Sequence, residues 1–574
     1  MKDIDSLIFF FSYYNIKLLL AIILVGIVNA YLLRKNRIFL FVVLLIILGF
    51  SYIPIAFAGG GIAEYFFCFF LPTSAISLLF VYVFDNLIID SKKGKMNPPY
   101  NVPLRTVKGK TEYISDANRG VSITGSSGSG KTAGPITSIL THFANEKFAG
   151  IIHDYKNYEL TEVAYPLFKR HGIDFKIFAP HDVNRSVRIN VVSPHIIDTE
   201  TKLNGIIKTL VLNLEQESAG GDTKFFRDGV ESLISAVVWR LKKDYPEKCN
   251  LPFTLALLLC AQNHHEKIEQ EHGMILIKPY QKLIDFICQD TRAEILGSVF
   301  LTGVSNERQT GSLYSTLAAC LRQLATPELF YLLSGHELDL DINSDNNRQV
   351  LSFINKPGYF EKTISPVNAM LMQATFAEMS ERGRKPSFAV IDEAPTIKME
   401  DLPSQIRTLR SFGVSFTYCL QDKIAGVAQY GGKEYKIKDI LANLSTQFVG
   451  KVNDADTAKY YERFFEIIKE ERISKSYSNS IFNTRDEGSR ITQSTQDKSK
   501  TQGYEIFRLE QGEFIMFNDG YDKRFKFYYK EPEKALPPPL RSITPTELEN
   551  NYINILEEAK NFFNNKINPK IITQ

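Results

Sequence analysis

The sequence predicts an α/β protein: a parallel sheet covered by helices on both faces, interrupted by an all-helical insertion and preceded by a helical membrane anchor. Three observations carry this expectation. Short apolar runs alternate with helical stretches through most of the chain. One glycine-rich loop joins the first such run to its helix. Long uncharged stretches occupy about the first ninety residues.

The strand-like runs are Val121–Thr124, Gly150–Asp154, Phe175–Ala179, Gln349–Asn355, Phe388–Asp392, Val414–Gln421 and Gln447–Val452. Strands that alternate with helices imply parallel pairing, with both sheet faces covered. Between Thr199 and about Leu340 the alternation stops. Leu203–Leu214, Phe225–Lys242, Thr254–Ala261, Tyr280–Ile287 and Leu313–Leu324 space their apolar residues by three and four, which reads as helix. The expected division is 1–90 anchor, 91–198 and 341–530 the two parts of a nucleotide-binding domain, 199–340 an all-alpha insertion, and 531–574 a tail.

Leu18–Leu33, Ile38–Ala58 and Ile62–Phe84 make up the anchor. The last two each suffice to span a bilayer, which needs about 20 residues. Arg34, Lys35 and Arg37 follow the first stretch, and Lys92, Lys93 and Lys95 follow the third, whereas the turn at Gly59-Gly60-Gly61 has no basic residue. The basic loops therefore face the cytoplasm, together with everything after them. Three crossings satisfy this, as does a hairpin of the last two with Leu7–Leu33 at the interface.

A net charge of +3 over 574 residues excludes neither nucleic acid nor acidic partners, and a nucleic-acid contact needs local concentration of charge. Six scattered cysteines without a C-x-x-C pair read as reduced core residues. His264, His265 and His272 read as exposed helix-end residues rather than a metal site. Glu470–Gln502, rich in Ser, Thr and Gln with mixed charge, reads as a mobile surface loop. Pro537-Pro538-Pro539 forms a stiff spacer ahead of a last helix, capped by Thr544 with Pro545 and Glu547. Its stripe of Leu548, Tyr552, Leu556, Ala559 and Phe563 suits either intramolecular docking or a partner.

Gly125, Ser126, Ser127, Gly128, Ser129, Gly130, Lys131 and Thr132 fit the phosphate-loop pattern G-x-x-x-x-G-K-[ST] at every position. Glycines let successive N–H groups turn toward an anion, and a following helix N-terminus reinforces them. The implied ligands are ATP and Mg2+, with Lys131 on the β- and γ-phosphates and the Thr132 hydroxyl on the metal. Phe388-Ala389-Val390-Ile391-Asp392-Glu393 is an apolar strand ending in two acids. Asp392 suits the Mg2+ shell, and Glu393 would polarise the attacking water. Gln421, ending the next strand, would sense the γ-phosphate without competing for metal. Arg410, just before that strand, is either a solvated helix end or an arginine finger acting on a neighbouring subunit's ATP.

Together these motifs resemble the type IV secretion coupling proteins, the TraG/TraD-type ATPases of conjugation. Ile151-Ile152-His153-Asp154-Tyr155-Lys156 is similar to the family's second-strand Asp-x-Lys motif, and Phe388 to Pro395 to its apolar-Asp-Glu-Ala/Phe-Pro segment. Arg410 and Gln421 match its arginine and glutamine spacing, and Gly512-Glu513-Phe514 its last strand. Two departures stand out: Asn157 occupies the usual glycine position, and Asn190-Val191-Val192 replaces an Asn-Pro pair.

The resemblance implies a RecA-like ATPase core in a homo-hexamer at the bacterial inner membrane, multi-pass, with the ATPase domain in the cytoplasm. It implies partners too: single-stranded DNA held without sequence preference, a relaxase or other secreted protein, and components of the secretion channel. Lys156 and Lys356 are candidate pore residues or simply solvated lysines. An FtsK-like DNA translocase and a receptor that docks secreted effector proteins are the rival functions.

Overall fold

The computed structural model describes residues 98–563, apart from 215–222, 261–265, 270–274, 279, 305–306, 359–360, 400, 466, 478–488, 500 and 519. The expected anchor and the three insertion histidines lie outside the described residues. Among the described residues no helix is long and apolar enough to cross a membrane.

The chain enters through an antiparallel pair, β1 (Val102–Arg105) and β2 (Thr111–Ile114). Next come β3 (Val121–Thr124), the glycine loop, a π-turn over Thr132–Ile136 and α1 (Thr137–Asn145). Then follow β4 (Ala149–Asp154), α2 (Glu159–Arg170) and β5 (Asp174–Phe178). The insertion opens with α3 (Glu200–Leu214), α4 (Thr223–Asp244) and α5 (Leu251–Leu259). An antiparallel pair follows, β6 (Glu266–Glu269) with β7 (Ile275–Lys278). Five helices complete it: α6 (Gln281–Cys288), α7 (Thr291–Leu296), α8 (Ser298–Val304), α9 (Glu307–Arg322) and α10 (Pro327–Leu332).

The sheet resumes with β8 (Gln349–Ile354), α11 (Glu361–Met379) and β9 (Ser387–Ile391). After these run α12 (Leu402–Arg410), β10 (Val414–Leu420), α13 (Lys423–Gln429), α14 (Glu434–Ala442) and β11 (Thr446–Val449). Finally come α15 (Ala455–Glu462), a ribbon of β12 (Ile467–Tyr477) and β13 (Ser489–Ser499), α16 (Gly503–Phe507), β14 (Glu513–Asn518), β15 (Tyr521–Lys526) and α17 (Pro545–Asn561).

Nine strands form one sheet in the order β15-β14-β11-β3-β10-β9-β4-β8-β5. The seven from β11 to β5 are parallel, and β14 pairs antiparallel with both β11 and β15. All seven predicted strands belong to this parallel part. Burial on both faces follows from their composition. Ile152, Phe388 and Val390 pack with α1 and α2 on one face. Ile151, Ala389 and Ile391 pack with α11 and the insertion on the other. Gly150 is required here, because a Cβ would sit 2.5 Å from the Phe388 ring. That ring stacks between Phe143 and Phe168 at 5.3 and 5.4 Å.

Three expectations need correction. The insertion is not all-helical, since β6 and β7 interrupt it. In segment 470–502, where a surface loop was expected, residues 470–477 and 489–499 pair as an antiparallel ribbon. The helix after the glycine loop opens as a π-turn instead of an α-helix. Pro135 has no N–H to donate, so Ile136 N donates to Lys131 O (3.1 Å), one residue out of register.

The tail docks within the chain. Ala535 N donates to Glu162 O (3.0 Å), Arg185 Nε to Pro537 O (3.0 Å) and Leu540 N to Asn184 O (2.8 Å). The capping box at Thr544 and Glu547 starts α17. Its apolar stripe lies on α5 and α10, with Tyr552 4.8 Å from the Phe330 ring. Phe562 is caged by Tyr245, Phe253 and Phe286 at 5.0, 5.5 and 5.7 Å. Truncating a caged aromatic ring removes about 3 kcal/mol. Phe562→Ala is therefore expected to abolish slow hydrogen exchange along α17 and leave the sheet amides protected; unchanged protection of α17 would refute docking through this ring.

Candidate active site

The glycine loop stands at the C-terminal edge of β3, between β10 and β11. Gly125 N donates to Leu420 O (3.2 Å) and Ser126 N to Lys451 O (2.7 Å), so both neighbouring strands pin its start. At its end, Gly512 N donates to Ser129 O (2.9 Å). Gly130 has φ +95°, and a Cβ there would lie 2.9 Å from Gly512 N, so no other residue fits.

Lys131 is buried at 5 % exposure, and its Nζ donates to Gly125 O at 2.5 Å. The same Nζ lies 3.8 Å from Glu393 Oε1. Gln421 Nε2 donates to that oxygen at 2.9 Å. The register explains the convergence: Leu420 pairs with Thr124 and Tyr418 with Ile391, so β3 and β10 end level, β9 ends two residues earlier, and Glu393, two residues past Ile391, comes level with their ends. Glu393 has φ +45°, a left-handed backbone that costs a non-glycine residue on the order of 1 kcal/mol. That turn directs its carboxylate back over the strand ends toward Lys131.

Asp392 is buried beside it. Burial and the neighbouring Glu393 carboxylate push the Asp392 carboxyl up to about 7, opposed by Lys156 and Lys131. Asp392 N donates to His153 O (3.1 Å), and His153 Nδ1 donates to Asp392 O (2.9 Å). Burial lowers the His153 imidazole to about 4 and so keeps it neutral. Thr132 Oγ1 donates to Glu159 Oε1 across 3.4 Å, and Glu159 lies 3.7 Å from the Lys156 ammonium. Tyr155, facing Glu361 and Glu393, has its hydroxyl pushed up to about 12, chiefly by burial.

Asp154 is a structural member of this edge. It accepts from Lys156 N, Leu160 N, Thr161 N and Thr161 Oγ1 at 2.7–3.2 Å, capping α2, while burial raises its carboxyl. Asn157 has φ +51°, the conformation that glycine favours and asparagine tolerates best among the rest. The asparagine-for-glycine departure thus keeps the same backbone.

The predicted residues of the loop, Asp392, Glu393 and Gln421 converge. Arg410 does not. It is exposed at the C-terminal end of α12, at the opposite end of β10, about 20 Å along the strand from Gln421. Arg407 beside it is paired with Asp439 at 3.0 Å. Sequence reasoning missed His153, Tyr155, Glu159 and Gly512 as members of the site. His153, Tyr155 and Gly512 lay within motifs that marked their strands without giving them a place in the site, and Glu159 lay in none.

Residues 386–511, which carry Asp392, Glu393, Arg410 and Gln421, match the family described as the TraM recognition site of TraD and TraG. The resemblance to type IV coupling proteins of the TraG/TraD kind holds. Among solved structures the unbound monoclinic form of the bacterial conjugative coupling protein TrwBdeltaN70 aligns with TM-score 0.55 at 14% identity, covering 76% of this chain and 90% of that one. Plasmid coupling protein TrwB with the ATP analogue ADPNP and with ADP and Mg2+ each align with TM-score 0.54 at 14% identity, over 74% of this chain and 88% of that one. At such identity the likeness is one of fold. No curated protein matches the sequence.

Asp392 ties the site to stability. Its proton is held up to about 7 in the fold against an ordinary value of 3.8, so stability falls as pH rises from about 4 to 7 and stays lost above. Asp392→Asn is expected to raise the melting temperature of nucleotide-free protein at pH 8, by at most about 4 kcal/mol of stability. The gain should shrink below pH 7 and vanish near pH 4; a pH-independent gain would exclude the buried carboxylate as its cause.

Proposed function

We propose that this chain is an ATP-driven coupling motor, anchored in the inner membrane, that delivers relaxase-bound single-stranded DNA or protein substrates to a type IV secretion channel. The observation that carries this is the convergence of Lys131, Glu393 and Gln421 at the phosphate loop, inside a fold similar to that of a coupling protein, of which residues 386–511 match the TraM recognition site. That match supports partners of the DNA-processing complex.

The residues fit ATP and Mg2+. Among the described residues Ser129 Oγ is buried without a partner, and Lys131 is held by a backbone carbonyl and a 3.8 Å carboxylate contact, so both can turn to phosphate oxygens. Thr132 and Asp392 would hold the metal, which neutralises charge on the phosphates when bound. Loop N–H groups and Lys131 orient the triphosphate. Glu393, released from Lys131, takes a proton from the attacking water, and Gln421 fixes that carboxylate. Arg410 cannot reach its own chain's site. As a finger it serves a neighbouring subunit, which makes turnover depend on a ring, here a homo-hexamer.

Lys131→Ala is expected to abolish ATP hydrolysis and substrate transfer while leaving membrane insertion intact; transfer at the wild-type rate would remove the motor reading. Arg410→Ala and Glu393→Gln subunits, each inactive, should regain part of the hydrolysis rate when mixed. No recovery in demonstrably mixed rings would count against a finger in trans. Single-stranded DNA should stimulate the ATPase several-fold, whereas lack of stimulation would favour a protein-docking receptor.

A further inference from the structure

Beyond Gln421 the chain builds a surface cleft that the nucleotide site does not use. α13, α14 and α15 enclose about 620 Å³, within the range of binding clefts, roughly 300–1,000 Å³. Its walls are fixed before anything binds. Asp422 Oδ1 accepts from Ala425 N (2.8 Å) and caps α13, and Asp454 Oδ2 accepts from Thr457 N (2.6 Å) and caps α15. Lys423 N donates to Thr457 Oγ1 (2.9 Å), which ties the two helices together. A preformed cleft spares a ligand the cost of ordering it.

The lining has an aliphatic floor and charged walls. Ile424 and Val427, three apart on α13, share one face, and Ile424 is 52 % exposed. The walls carry four cations and two acids. Glu434 is shared by Lys423 and Lys438, the second at 3.2 Å, and the two lysines hold its carboxyl below the usual range. Lys459 and Arg463, four apart at the C-terminal end of α15, are exposed and have no acid partner among the described residues.

This pattern separates a peptide from a nucleic acid. A polynucleotide carries a phosphate at each residue, so it meets Asp456 and Glu434 as well as the cations, and it gains most from rings on which bases stack. Tyr460 in the lining already has the Lys423 ammonium 4.9 Å over its ring. A peptide sets its acids only where the cations stand, and it can lay one large apolar side chain on the floor, where burial releases water. All the lining residues fall within 386–511, the segment that matches the TraM recognition site.

We propose that this groove docks an acidic peptide segment of a protein partner, its carboxylates on Lys459 and Arg463 and one apolar side chain on Ile424 and Val427. This rests on the reading above of a motor that receives protein partners.

The test is panning of a random peptide library on the full-length, detergent-solubilised protein, with the Lys459→Glu/Arg463→Glu double variant as counter-screen. Both positions are exposed and outside the phosphate site, so the variant is expected to keep the wild-type melting temperature and ATP hydrolysis. Peptides enriched on wild type over the variant are expected to share several Asp or Glu and one Leu, Ile, Met or Phe. A fluorescein-labelled synthetic peptide of that sequence should bind the double variant roughly tenfold or more weakly. The difference should narrow as salt rises, whereas the several-fold loss expected in Ile424→Ser should not. Enrichment of peptides without acids would overturn the proposal, as would a double variant that keeps the peptide but loses labelled oligothymidylate, the mark of a nucleic-acid contact. No enrichment by a wild type that still hydrolyses ATP would overturn the groove alone and leave the motor reading standing.

Discussion

The site depends on one buried ammonium. Lys131, 5 % exposed, is satisfied by the Gly125 carbonyl and by Glu393 across 3.8 Å. A buried charge without partners costs several kcal/mol, so each element that brings a partner to Lys131 is under constraint. β3 must end level with β10 for Gln421 to hold the carboxylate, and β9 two residues earlier for Glu393 to arrive at that level. The left-handed turn at Glu393 exists for the same contact: with ordinary backbone its side chain would leave the strand ends. The contact is weak enough in geometry to be exchanged for phosphate, which suits a residue that must both fold and bind.

A second constraint acts from the antiparallel edge. β14 and β15 extend the parallel sheet past β11, and the turn at Gly512 closes on the loop through Ser129 and Gly130. Loop geometry is therefore fixed by strands that meet only after some 380 intervening residues, counted from Gly130 to Gly512. The same hairpin ends at Phe527 against Gly134, and the chain then crosses α2 to the insertion. One continuous run thus touches the phosphate loop, the outer face of the nucleotide domain and the helical insertion. Movement at the loop has a covalent route to the insertion that does not pass through the sheet.

Much of this was legible in sequence. The seven parallel strands announced themselves as apolar runs because they are buried on both faces, so each residue along them is selected for burial. The loop and its acids were legible because phosphate chemistry restricts residue type at each position. The cap of α17 was legible because it is a local hydrogen-bond pattern. The β6–β7 pair was not, since its residues are mixed in polarity and carry no clear alternation. The π-turn escaped for another reason: Pro135 reads as an acceptable first-turn residue until the hydrogen-bond partner of Ile136 is known.

By itself the sequence determined the doubly covered sheet, the phosphate loop, the paired acids and the glutamine, because each is written in residue types that neighbouring positions confirm. Only the tertiary structure decided that Arg410 stands a strand's length from its own loop, that Asp154 caps a helix, that the tail docks inward and that the turn at Gly512 closes on the loop. These are consequences of strand order and register. Residues distant in sequence meet according to which edges pair, and no local pattern records that choice.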